Sequence, residues 1–314
     1  MRVATNAYTN TMLNEFSVLK QQQANLQNQV STGLRIQAPS DDPAAMQTTL
    51  DDLSSQSIQQ QFSNNISTAQ SQANSIYSVL QSLQTLVSKA GEVVTSAGSG
   101  TNSQSDLNNY ATQVTSMIQQ AAQLLNTKDP STGQYLFGGT ASGQQPFTVT
   151  TDSNGNVTGV TYNGNSSTNQ TEVASGVTVS VGVPGANTSG SGATGLITDS
   201  RTGADLFNHL IALQNDLESG NTSAISSTDS QNIQNDEDNI TYQVANNGNV
   251  QTSLNTAATM ATNQANALTN DISNASSADL AQTMTQLSQT QTAYEAALES
   301  SASIMQLSIL NFLS

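Results

Sequence analysis

His209, in "LFNHLIAL", is the single histidine of the 314-residue chain and the one side chain whose ordinary pKa lies near neutrality. A catalytic base needs a nucleophile or carboxylate partner, and no such cluster surrounds it in sequence, so His209 reads as one member of an amphipathic helix. Asp236-Glu237-Asp238 is the longest acidic run. Consecutive helical residues point in different directions and cannot converge on one cation, so a solvated helix face is expected there. "DSNGN" (152–156) begins like a calcium loop but lacks the later glutamate, and a hairpin turn fits it better. "LFGGTASG" (136–143) has the glycines of a phosphate-binding loop without the Lys-Ser/Thr that would complete it. There is no cysteine, hence no thiolate nucleophile, disulfide or cysteine metal site. Asn-x-Ser/Thr triplets occur at the frequency this composition makes unavoidable, and no glycosylation is inferred. The expectation is no catalytic residue, no metal, no cofactor, and no enzyme.

Composition narrows the alternatives. Hydrophobic residues make up 35% of the chain and charged residues only 9%, with no Trp, so ordered structure must be argued from pattern. The net charge of −16 excludes nucleic acid and anionic membrane surfaces as partners, because both need clustered Lys and Arg. The six basic residues are Arg2, Lys20, Arg35, Lys89, Lys128 and Arg201, and none follows Arg201. "MRVATNAYTNTMLNEF" has no apolar core of a secretory signal, and "IMQLSILNFL" is too short to span a bilayer. A cytosolic protein, or one exported without a cleaved signal, is expected.

The pattern itself is helical at both ends. Met12, Phe16, Leu19, Gln23, Leu26, Val30 and Gly33 step by fours and threes, the seam of a helix packed on another helix. "SDDP" reads as a helix start, with Asp42 as N-cap and Pro43 as first helical residue. A stripe from Ile66 to Val94 marks the second helix, and the absence of Pro and Gly between Pro43 and Gly91 predicts a length of roughly 70–80 Å. A third helix carries Leu107, Ala111, Val114, Ile118, Ala121 and Leu125. From Pro130 to about Arg201 the chain turns to Gly, Thr, Val and Asn. Asn154-Gly155 marks a hairpin, "VTVSVGV" (177–183) a strand, and "PGANTSGSGATG" a flexible loop. Helix returns at "GADLFNHLIALQNDLESG" and continues on a near-heptad stripe from Ile233 to Ile272, across Gly248. The last seam runs through Leu280, Met284, Leu287, Gln291, Tyr294, Leu298, Ser301, Met305 and Phe312, and from Ile304 apolar residues lie all round the helix. The expected fold is mainly α with a β insertion: a long antiparallel helical rod or coiled coil of N- and C-terminal segments, with a β-rich domain at its far end. Its expected parts are 1–42, an N-terminal helix and turn; 43–129 and 202–275, the outgoing and returning rod; 130–201, the β insertion; and 276–314, the C-terminal helix.

"QVSTGLRIQAPSDDPAAM" (29–46) resembles the characteristic turn of flagellins and flagellar hook-associated proteins, matched here by Gly33, Arg35, Asp41, Asp42 and Pro43. "ASIMQLSILNFL" is similar to that family's terminal helix. "GQYLFGGTASGQQPF" (133–147), "GVTVSVGVPG" and "ADLFNHLIALQNDLESGNTSAI" resemble the branch that forms the junction between hook and filament. One departure is "ANNGNVQTSL", where the family usually carries arginines around the internal glycine. The resemblance implies an extracellular flagellar structural protein, exported unfolded by the flagellar apparatus and assembled through terminal coiled-coil helices. The alternative reading is a flagellin-type filament subunit. The partners it implies are hook-associated protein 1 on the hook side, flagellin on the filament side, further copies of itself in a ring, and an export chaperone at the C-terminal helix. The assembly interface expected from these seams comprises Met12, Phe16, Leu19, Leu26, Val30, Leu287, Tyr294, Leu298, Met305, Leu310 and Phe312, with the turn residues Gly33, Arg35, Asp41, Asp42 and Pro43 reversing the chain. Arg35 is expected to pair with Asp41 or Asp42.

Overall fold

The computed structural model describes the backbone of residues 2–313 and the side chains of 10–303. Seven helices are described: α1 (Arg2–Thr32), α2 (Pro43–Ala97), α3 (Gln104–Leu125), α4 (Leu206–Ser219), α5 (Thr222–Ala224), α6 (Ser230–Ser276) and α7 (Leu280–Leu313), with a π turn at Ile225–Asp229 leading into α6. Their ends have local causes. α1 stops where Gly33 takes φ +72° and returns its N–H to the Gln29 carbonyl, a left-handed cap that suits a residue without Cβ. α3 starts with a reciprocal cap between Ser103 and Asp106. α2, at 55 residues, runs for about 80 Å at 1.5 Å per residue.

The chain forms two compact units, residues 1–58 with 264–314, and residues 59–263. α2 and α6 each contribute to both.

The 59–263 unit holds most of the buried apolar residues. The stripes expected on α2 from Ile66 to Val94 and on α3 from Leu107 to Leu125 are buried throughout. α4 packs on α3 through Leu206, Phe207, Leu210, Leu213 and Leu217. Within this unit α2 and α6 run antiparallel, joined by Gln70–Asn255 (2.9 Å), Gln84–Thr241 (3.4 Å) and Ser88–Glu237 (3.2 Å), each step along α2 matched by an equal step back along α6. These pairs lack basic partners, as the missing Lys and Arg require.

Strands β1 (Phe147–Thr151) and β2 (Val157–Tyr162) form the expected hairpin, with Gly155 at φ +88° in its turn. β3 (Gln170–Ala174) pairs with β4 (Val177–Ser180), so the strand expected over 177–183 is shorter by three residues. Two-residue strands β5 (Ala186–Asn187), β6 (Thr198–Asp199) and β7 (Ala204–Asp205) make a third small sheet. "LFGG" serves packing: Leu136 and Phe137 are buried, and the Tyr162 hydroxyl donates to the Phe137 carbonyl at 3.0 Å. Phe147 stacks between Tyr162 and Phe207 at 5.1 and 5.4 Å between ring centres.

Two expectations are corrected here. The loop expected to be flexible, "PGANTSGSGATG", is tied down by Asn187, whose buried amide donates to Ser191 and Ala193 carbonyls at 2.7 Å each. Asp236 does not lie on a solvated face: it is 1% exposed, and its carboxylate meets His209 Nδ1 at 2.8 Å and the Asp205 N–H at 2.9 Å. α6 buries other polar residues too. Asn239, Gln243 and Asn247 donate to backbone carbonyls of Leu196, Thr194 and Ala73. These uncharged amides satisfy carbonyls that an apolar stripe would leave bare.

Candidate assembly site

The 1–58/264–314 unit is built from two helix-to-helix turns laid side by side. Residues 33–42 join α1 to α2, and 277–279 join α6 to α7. Leu34 bridges antiparallel to Ser277: the Arg35 N–H donates to the Ser276 carbonyl (2.7 Å), and the Ala278 N–H to the Gly33 carbonyl (2.8 Å). Arg35 ties the two turns together. One guanidinium nitrogen reaches Asp42 at 3.2 Å and the other donates to the Ala275 carbonyl at 2.9 Å. Of the two partners expected for Arg35, the structure selects Asp42.

The two aspartates have separate tasks. Asp42 caps α2, accepting the Ala45 N–H at 3.1 Å, and Pro43 follows as the first helical residue. Asp41 accepts the N–H groups of Gln37 and Ala38 at 3.0 and 2.9 Å and closes the loop between them. Backbone N–H donors, first Gln37 for Asp41 and Ala45 for Asp42, hold both carboxyls below the usual aspartate range, with Arg35 adding to the effect at Asp42. Each of the five turn residues thus has a definable duty: Gly33 the left-handed stop, Arg35 the clamp, Asp41 the loop closure, Asp42 the cap and Pro43 the helix start.

Beyond the turns, α1 packs on α7. The α1 seam is the one expected: Leu26 is buried, and Met12, Phe16, Leu19, Gln23 and Val30 are partly buried. Phe16 meets Tyr294 edge to face, ring centres 5.8 Å apart. The α7 seam differs in phase. Its covered positions are Thr283, Leu287, Thr290, Tyr294, Ala297 and Ser301. The three hydroxyls turn back onto their own helix, to the carbonyls of Asp279, Gln286 and Ala297. Leu298, with Leu280 and Met284, stands outside this seam at 46%, 45% and 55% exposure. The physical reason is width. The apolar arc of α7 is broader than one partner helix can cover, so α1 takes one flank and leaves the other open. Met305, Leu310 and Phe312 lie outside the described side chains.

α2 repeats the inversion within this unit. Thr49 is buried and Asp52 and Gln56 are partly buried, with Gln56 donating to Thr269 at 3.0 Å. Leu50, Leu53 and Ile58 face solvent at 55%, 44% and 49% exposure. Together with Leu13 and Val18 on α1, these are interface candidates that the heptad reading passed over. Their only sequence signal is large apolar side chains placed off the seam. Among the described residues of the unit, the buried apolar ones are just Leu26, Ile36 and Leu268. An arrangement with apolar residues outward and polar ones inward is what a surface awaiting further helices requires.

No group of three or more His, Cys, Asp or Glu among the described residues is placed to hold a metal ion. No helix of the described residues is long and apolar enough to cross a membrane.

Comparison with known proteins agrees with this geometry. Residues 3–142 match the model of the bacterial flagellin N-terminal helical region. Flagellar hook-associated protein 3 of Salmonella typhimurium is 29% identical over 147 residues, 47% of this chain, and the match spans about half (46%) of that relative's length. A solved Vibrio parahaemolyticus structure assigned to the flagellar hook-associated proteins superposes with a TM-score of 0.63 at 20% identity, covering 76% of this chain and all of that one. Hook-associated protein 3 of Legionella pneumophila superposes with a TM-score of 0.57 at 15% identity, covering 73% of this chain and 98% of that one. Over residues 3–142 the chain is similar to the N-terminal helical region of the bacterial flagellins, and its fold is that of the solved flagellar hook-associated proteins.

Proposed function

We propose that this chain is a structural component of the bacterial flagellum, an adapter at the junction of hook and filament. One observation carries the reading: among the described residues of the unit built from both ends of the chain, more large apolar side chains face solvent than are buried. Such a surface is a liability in a free monomer and an asset in a polymer, where neighbouring helices cover it. The family resemblance supplies the polymer, and the hook-associated names of the matched proteins favour the junction over the filament.

In this reading residues 1–42 and 276–314 form the assembly core. Residues 43–129 and 202–275 carry the helices outward and back, and 130–201 form the β insertion. Export proceeds through the flagellar apparatus without a cleaved signal, with a chaperone covering the C-terminal helix. The partners are hook-associated protein 1 below, flagellin above, and further copies of the chain alongside in a ring. Gln- and hydroxyl-bearing seams suit such a part, because they hold helices in register weakly enough to be re-formed during assembly.

The test is a deletion strain. Hooks without filaments, with flagellin spilled into the medium and labelled protein restored as a short zone at the hook end, is the expected result. Label along the whole filament would assign the filament-subunit role instead, and normal motility of the deletion strain would overturn the flagellar reading.

A further inference from the structure

We propose that the corner where α4 meets the π turn and α6 is a proton-operated clamp, tightening as the surroundings acidify and loosening as they become alkaline. This rests on no part of the assembly reading. The corner gathers five titratable groups: Asp205 before α4, His209 and Asp216 on α4, Asp229 in the π turn, and Asp236 on α6. α3, packed on α4, brings Asp106, which is engaged with Ser103, and the phenol of Tyr110; β2, also packed on α4, brings the phenol of Tyr162; and α2 brings Glu92 to the first turns of α6 beside Glu237. Three carboxylates, Asp205, Asp229 and Asp236, therefore act on one imidazole, and the fourth, Asp216, acts on Asp229. No Lys or Arg occurs anywhere after Arg201, so a proton is the cation that α4 and α6 themselves have to offer.

The geometry makes the proton matter. Asp229 is 1% exposed, and its Oδ2 is buried without a hydrogen-bond partner. A buried carboxylate oxygen lacking a donor is costly when ionised and far less so as a neutral acid. π turns are uncommon, and this one holds Asp229 inward against α4. A few residues on, His209 Nδ1 stands 2.8 Å from Asp236 Oδ2, whose other oxygen accepts the Asp205 N–H. The imidazole, 15% exposed, is thus clamped to α6 by a carboxylate that is itself 1% exposed. An imidazolium there strengthens the bond, and a neutral ring leaves a buried carboxylate poorly compensated.

The titration runs one way at all three sites. Burial, then the nearby Asp216 carboxylate, pushes Asp229 up to about 6. Burial also raises Asp236, against the pull of His209. Burial by itself would lower His209, but the hydrogen bond to Asp236 and the fields of Asp236, Asp205 and Asp229 outweigh it and the group is raised. A folded state that binds protons more tightly than the unfolded chain is stabilised at low pH. For Asp229 that contribution is lost as pH rises from the ordinary aspartate value of 3.8 to about 6, and for His209 as pH rises through and beyond 6.5. The opposite trend, from Asp199, whose carboxyl is held at about 2 mainly by Arg201, acts below pH 4 and outside this window.

The test uses the full-length, untagged chain, in which His209 is the sole histidine and its ring-proton resonance needs no assignment by mutation. The ring should titrate above the ordinary histidine value. The melting temperature should rise by about 3–5 °C between pH 8 and pH 5.5, the shift expected of a unit this size for a tenfold change in folding equilibrium. Asp229→Asn should melt higher than the native chain at pH 8 and show a flatter pH dependence. Asp238→Asn, which removes an equal charge from an exposed position on the same helix, should keep the native slope. Equal slopes for the native chain and Asp229→Asn, or a His209 midpoint at or below 6.5, would overturn the proposal. If Asp229→Asn does not fold, the His209 titration decides alone.

Discussion

Replacing Leu50, Leu53, Met284 and Leu298 together by Gln tests whether the open apolar faces are there for assembly. All four are roughly half exposed in the chain, at 55%, 44%, 55% and 46%. Complete burial of such a side chain contributes about 1.5–3 kcal/mol, so covering the exposed half is worth about 1 kcal/mol apiece. Four lost contributions sum to about 4 kcal/mol per subunit, close to a thousandfold in an association constant. The same substitutions should barely touch the monomer. Gln is nearly as good a helix former as Leu or Met, and exposed substitutions usually stay within about 0.5 kcal/mol. The assay has two arms: sedimentation or light scattering of the purified chain as it associates, with motility of the complemented strain, and thermal unfolding followed by circular dichroism. The expected result is a large loss of association with a melting curve close to native. A variant that assembles at native concentrations would refute the argument, and so would one whose melting temperature falls in step with assembly.

Three further outcomes are expected. Amides of residues 10–32 and 280–303 should exchange with deuterium faster than those of 66–94, because few apolar side chains are buried among the described residues of the first unit. Equal protection would contradict that burial pattern. Gly33→Ala should cost about 1–2 kcal/mol, since an L-residue must enter the left-handed region at φ +72°, where space is open but the conformation is not. An unchanged melting curve would show that the turn relaxes. Below about pH 4 the paired turns should loosen. Asp41 and Asp42 have lowered carboxyls, so their contribution is present above 3.8 and fades as pH falls through the folded values, which backbone-amide NMR of Gln37, Ala38 and Ala45 would report.

Local chemistry was legible in the residues alone wherever one position settled it. Gly33 had to end α1, Asp42-Pro43 had to begin α2, and Asn154-Gly155 had to turn a hairpin, because each depends on neighbours within four residues. The stripes of α1, α2 and α3 were equally readable, since periodicity identifies a buried face when apolar residues are sparse and regular. α7 defeated the same method. Its apolar arc is wide enough for two phases, and only the position of α1 decides which flank is covered and which stays exposed. Buried polar groups were beyond sequence as well. Asp236 looks like a solvated residue in an acidic run until His209, 27 positions away, is brought to 2.8 Å. Asn187, Asn239 and Asn247 likewise resemble the many surface amides of this chain until particular carbonyls face them. A one-dimensional pattern records which residues prefer burial; which of them obtain it, and what a buried polar atom finds there, depends on partners that only the folded chain supplies.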